Sequence, residues 1–148
     1  MKTLHQTIKE LALRIVPNYV YGTPFYINTQ TDRMRRDKKM PACLHIQTSD
    51  GSLTLRDGPY MQSRKDTHRV QVGFADAVKF DRDPETTIAV VDDLLNKGYQ
   101  LVKSLSEVGA WEVADDLSYE VLYDTQDANL VWVLLTFNVT DAVGKCYV

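Results

Sequence analysis

Cysteine is almost missing from this chain: Cys43 and Cys146 are the two in 148 residues. Two are too few for a disulfide framework, so free buried thiols are the expectation for both. Histidine is scarce as well, with three residues, which leaves little material for general acid–base catalysis. The longest unbroken apolar run is Leu130–Leu135, six residues, against the ~20 that a membrane-spanning helix needs. The opening stretch MKTLHQTIKE has no apolar h-region, which argues against export by a signal peptide. Seven glycines and five prolines form no low-complexity tract and no repeat. There is no Gly-rich phosphate loop, no Ser nucleophile elbow and no Cys-x-x-Cys pair.

What is present is ordinary for a folded protein. Apolar residues make up 44% and charged residues 25% of the chain, and the length suits one domain over 1–148 with a real core. The net charge of −3 is unevenly spread: residues 1–70 carry a balance of +6 and residues 71–148 one of −9. Such asymmetry marks an interaction surface if folding keeps the halves apart, and vanishes if folding interleaves them.

Leu4, Ile8, Leu11 and Ile15 recur at helical spacing ahead of Pro17, which predicts a helix over 3–16. YVYG and PFYIN read as short strands or turns around Gly22 and Pro24, and DRMRRDKKM (32–40) as a polar loop. Ala42, Leu44 and Ile46 alternate with Cys43, His45 and Gln47, and Asp50-Gly51 predicts a hairpin turn into Ser52–Arg56. A second polar loop, RDGPYMQSRKD, leads to a strand whose core face is Val70, Val72 and Phe74. Asp83 as N-cap and Pro84 at the first helical position open a helix over 84–107, which Gly109 ends. Gly98 falls inside it, as a weak point or as a place of close approach to a sheet. Trp111–Val113, Tyr119–Tyr123 and Leu130–Thr140 are the closing strands. The order predicts an α+β fold, a mainly antiparallel sheet with two helices packed on one face.

The segment NLVWVLLTF complicates that picture. Val131, Val133, Leu135 and Phe137 share one parity and suit the helix-covered face; Leu130, Trp132 and Leu134 share the other. An antiparallel sheet ordinarily leaves one face wet. The second face therefore needs curling of the sheet, a loop, or a neighbouring subunit to cover it.

Candidate chemistry reduces on inspection. Cys43-x-His45 with His68 or Cys146 imitates a metal site, but without the ligand spacing of a zinc motif. The carboxylate pairs have structural explanations: Asp83, beside Asp81, caps a helix, Asp92 and Asp93 solvate its outer face, and Asp115 and Asp116 form a turn. No catalytic residue, cofactor or resident metal is expected. The basic stretch is more informative. Arg33, Arg35, Arg36, Lys38 and Lys39 outweigh Asp32 and Asp37 by +3. Arg64, Lys65, Tyr60 and Met61 form a second group. Cations beside aromatics suit phosphates and bases, yet an acidic chain is a poor nucleic-acid binder. An acidic protein partner or plain solvation fits as well.

The succession of a leading helix, MPACLHIQTSDGSL, THRVQVGFAD, DPETTIAVVDDLL and the ending YDTQDANLVWVLLTFNVTDAVGKCYV resembles small neck and tail proteins of tailed bacteriophages. Tail terminator and tail-completion proteins are the nearest type, and the ending also looks like phage-related proteins of prophage clusters in Bacteroides-like bacteria. The resemblance covers nearly the whole chain as an order of elements. It implies a non-enzymatic virion subunit, made in the host cytoplasm, that forms a homo-oligomeric ring, commonly a hexamer, at the head–tail junction. Its partners would be other tail or neck proteins, with neither membrane nor direct nucleic-acid contact. The candidate interface then comprises the two basic groups named above together with Leu130, Trp132 and Leu134. The loop at 32–40 would order on assembly. Two other classes stay open: a monomeric ligand-binding module with a pocket lined by Tyr19, Tyr21, Phe25 and Tyr26, and a metal-dependent nuclease using the acidic residues.

Overall fold

The computed structural model describes residues 2–37, 39–48, 51–57, 62–78, 84–124, 130–142 and 145–147. Within those spans the side chains of 32, 35, 52–57, 62–65, 84, 124 and 145–147 lie outside the described set. The fold is α+β. Helix α1 (Leu4–Leu13) opens on a capping box: the Gln6 amide donates to Thr3 Oγ1 at 3.2 Å and the Thr3 amide to Gln6 Oε1 at 2.9 Å. It stops a turn before the expected end, with Arg14 as its C-cap. Strand β1 (Asn18–Gly22) follows, then α2 (Pro24–Arg36), β2 (Ala42–Ile46), β3 (Gly51–Asp57) and β4 (Gln62–Ala77). Helix α3 (Pro84–Glu107) has the bounds the sequence predicts. Gly109 beyond it, at φ 82°, takes the left-handed conformation that suits glycine. The chain closes with β5 (Trp111–Val113), β6 (Ser118–Asp124), β7 (Leu130–Asp141) and β8 (Lys145–Tyr147).

The sheet runs β1-β2-β4-β7-β5, with β6 also on β7 and with β3 and β8 on β4. Every pairing is antiparallel except β1 with β2. The Asp50-Gly51 hairpin is a correction. β2 pairs with β1 and β4, and β3 pairs with β4 instead of β2. Both faces and both edges of β2 are covered, which an outer hairpin arm could not be. The sixteen-residue β4 holds β3 along residues 62–68 and β2 along 71–75. Residues 62–66, expected in a loop, are therefore strand.

On one face lie α1 and α3, as expected. Ile8, Leu11 and Ala12 of α1 and Leu94, Leu101 and Leu105 of α3 enclose Val72, Phe74, Val131, Val133, Leu135 and Phe137. A Cβ on Gly98 would come within 2.5 Å of Leu135 Cδ1, so this glycine permits close approach of helix and strand. The other face carries the element the sequence reading takes for strand and loop. Thr23 starts α2: its Oγ1 accepts from the Tyr26 amide at 3.3 Å and its carbonyl from the Ile27 amide at 2.9 Å, with Pro24 at the first helical position. Arg33 and Arg36 thus stand on a helix and not on a loop. Ile27 and Met34, seven residues apart on one stripe, pack α2 onto Ala42, Leu44 and Ala75.

Candidate functional site

Pairing order turns the charge asymmetry of the sequence into a spatial one. The strands of the basic half, β1, β2 and β3, lie on one side of β4, and the strands of the acidic half, β5, β6 and β7, on the other. At the β1 end Lys9, Arg14, Arg33, Arg36 and Lys39 are exposed, and they outnumber the exposed Glu10 and Asp37. Glu112, Asp115, Asp116 and Glu120 are exposed at the β6 end. The halves are not interleaved. Of the sequence-predicted basic residues, Arg33, Arg36 and Lys39 belong to this surface. The side chains of Arg35, Arg64 and Lys65, and residues Lys38, Tyr60 and Met61, lie outside the described residues.

Exposed aromatic side chains stand at both ends of the sheet, while Leu13, Ile88, Tyr99 and Val108 are exposed on or just after the helices. Tyr21, Phe25 and Tyr26 sit at the β1 end, at 37%, 82% and 48% exposure, and Tyr119 and Tyr123 on β6, each at 56%. Tyr119 and Tyr123 lie on a strand that the sequence predicts, whereas Phe25 and Tyr26, expected in a strand or turn, lie on α2. What the sequence withholds is that β1 and β6 are outermost, because that depends on which strands pair.

The second face of NLVWVLLTF is partly covered by α2. Leu130 is 2% exposed and lines a small void with Asn28, Thr31, Leu44 and Ala75, so its place in the candidate interface is corrected: it is buried within the chain itself. The indole of Trp132 lies over Gly73, with Cε3 2.9 Å from where a Cβ would stand, and packs beside the α2 residues. Trp132, Leu134 and Leu122 remain half-buried.

A constellation that sequence reasoning misses lies under α1. Parallel pairing sets Tyr19 beside Cys43 and Tyr21 beside His45. The Tyr19 hydroxyl meets His45 Nδ1 at 2.7 Å and His5 Nδ1 at 3.2 Å. One hydroxyl hydrogen means that it donates to one imidazole and accepts from the other. Tyr21 contacts both rings, tilted against His5 with centroids 4.1 Å apart and edge-on to His45 at 4.8 Å. Burial, then the nearby His5, lowers the pKa of His45 to about 4. Burial, and secondarily Cys43 and Tyr21, pushes the Tyr19 phenol up, and burial pushes up the Cys43 thiol. His5 is lowered by burial and by Lys9. The group is neutral at pH 7, and neither potential nucleophile is activated. Beside it opens a shallow cleft of ≈ 380 Å³ lined by His5, Lys9, Tyr19, Tyr21, Tyr26 and Gln30; Phe25, expected in such a pocket, faces solvent.

Among the described residues, the grouping that could hold a metal is Asp66, His68 and Asp141, whose donor atoms lie within 4.8 Å of one another. Cys43 and His45 are not part of it. His68 Nε2 is 3.6 Å from Asp141 Oδ1, and the Asp66 backbone amide donates to Asp141 Oδ2 at 3.4 Å, so the Asp141 carboxylate already has protein partners. Asp92 and Asp93 are exposed, as expected for residues that solvate the outer face of α3, and Asp115 and Asp116 are exposed in the connection between β5 and β6, while Asp81 and Asp83 lie outside the described residues.

No protein-family model matches the chain, and no curated protein matches it. No helix is long and apolar enough to cross a membrane, among the described residues.

Proposed function

We propose that this chain is a non-enzymatic structural subunit that associates head to tail into a closed homo-oligomeric ring, of the kind its resemblance to tail terminator and tail-completion proteins implies. In that role it acts in a virion, joined to other tail or neck proteins. The observation that carries the reading is the sorting of charge across the sheet, basic at the β1 end and acidic at the β6 end. Head-to-tail contact uses two different patches on each subunit and closes into a ring when the rotation allows it. Opposite charge on those patches steers and orients the contact, and like ends repel. Exposed aromatics at both ends supply apolar area for the centre of the contact. Native mass spectrometry at low salt tests this. One closed multiple of the 16.9 kDa chain is expected, dissociating as salt screens the charges. A monomer at every concentration contradicts it.

The His5–Tyr19–His45 group beside its cleft favours a second reading, a monomeric module that binds a small polar ligand. A ligand that raises the melting temperature of the unassembled chain, and loses that effect in Tyr21→Ala, is the result this reading requires.

A further inference from the structure

The geometry points to how the ring closes: β6 of one copy adds to β1 of the next as an antiparallel strand pair, making one continuous sheet around the ring. This inference rests on the ring reading and names its contact.

Among the described residues, β1 pairs only with β2 and β6 only with β7. Five residues of β1 and seven of β6 thus present outer backbone edges, and such edges are templates for strand addition. Their directions agree with a ring. β1 is parallel to β2, β4 is antiparallel to β2, β7 to β4, and β6 to β7. β6 therefore runs opposite to β1. Rotating a copy about an axis parallel to the strands preserves those directions, so β6 meets the neighbour's β1 antiparallel, the more stable kind of pair.

The side chains agree as well. Tyr119, Val121 and Tyr123 pair with Leu135, Val133 and Val131, on the face that carries α1 and α3. Tyr19 and Tyr21 pair with Cys43 and His45 on that same face. Joining the edges sets Tyr119 and Tyr123 beside Tyr21, and the cross-strand aromatic contact covers rings now exposed. Around the seam, Glu120 of β6 comes up to the basic β1 edge, whereas Asp115 and Asp116, ahead of β6, lie past the Gly22 end of β1 and away from Lys39 at its Asn18 end. The occupant of each edge is a second copy of this chain, because each edge supplies what the other lacks.

Cysteine pairing between copies tests the contact in a Cys146→Ser background. Copies carrying Tyr21→Cys are mixed with copies carrying Tyr119→Cys, Val121→Cys or Tyr123→Cys. Opposed residues of an antiparallel pair lie ~4.5–5.5 Å apart, inside disulfide range. A disulfide-linked dimer from at least one mixture, with none from either variant alone, is expected. Hydrogen exchange on the unsubstituted protein provides a second measurement: amides of residues 118–124 should slow on assembly. Oligomers with no mixed disulfide and unchanged exchange at 118–124 overturn the strand pairing and leave the ring reading standing. A protein that stays at 16.9 kDa removes both.

Discussion

The two faces of the sheet are filled by different means. On one, two helices lay seven buried apolar side chains (Ile8, Leu11, Ala12, Leu94, Leu101, Val102 and Leu105) over five buried positions of β7 alone. On the other, α2 contributes Ile27 and Met34, and Trp132, Leu134 and Leu122 stay half-buried. The comparison separates two tasks. The helix face carries the stability of the subunit. The opposite face has only what it needs to hold α2, and the proposed association surfaces are the ends of the sheet, where charge and the exposed Tyr21, Tyr119 and Tyr123 lie.

Substitutions on the two faces should therefore differ in size. Phe137→Ala, at 2% exposure beneath the helices, should cost ~3–5 kcal/mol in denaturant unfolding. A loss under 1 kcal/mol would show that the helix face is not the stabilising one. Acid should act next. His45 is held neutral in the folded chain with its pKa lowered from 6.5 to about 4, so the unfolded chain takes up its proton first. Stability is then full above the unfolded pKa and falls as pH drops from about 6.5 towards 4, by up to ~3 kcal/mol. His45→Gln should flatten that slope in melts run across the same range; an unchanged slope would assign the acid sensitivity elsewhere. On the opposite face, Trp132→Ala should cost about half of what a fully buried aromatic does, ~2 kcal/mol, and leave the oligomer mass unchanged. Loss of assembly with an unchanged melt would instead place Trp132 in the interface. Thr23→Ala removes the α2 cap and should cost ~1 kcal/mol, visible as faster hydrogen exchange along α2.

The same comparison explains what was legible in the sequence. α3 and β7 declare themselves because burial imposes a period on them: the α3 stripe from Leu94 to Leu105, and alternate residues from Val131 to Val139. Among its described side chains α2 buries only Ile27 and Met34, so its polar outer face reads as loop. Its one strong signal is the Thr23-Pro24 pair, an N-cap and a first helical position. The Asp50-Gly51 dipeptide fits a local hairpin, but the length of β4 allows β2 and β3 to pair with it in succession. The charge division is plain in the sequence, whereas its place in space follows from pairing order. The contacts of Tyr19, His5 and His45 likewise depend on a parallel register that no local pattern encodes.

The central claim, head-to-tail contact between oppositely charged ends, is tested most directly by sedimentation velocity on charge-reversed chains at low salt. One chain carries Asp115→Lys, Asp116→Lys and Glu120→Lys at the β6 end, a second carries Lys9→Glu, Arg33→Glu and Lys39→Glu at the β1 end, and a third carries all six. Each singly reversed chain should sediment as a 16.9 kDa monomer, because its two ends now share a sign, while the chain reversed at both ends should assemble again. A wild type that assembles beside singly reversed chains that assemble equally well, or beside a doubly reversed chain that stays monomeric, contradicts the account.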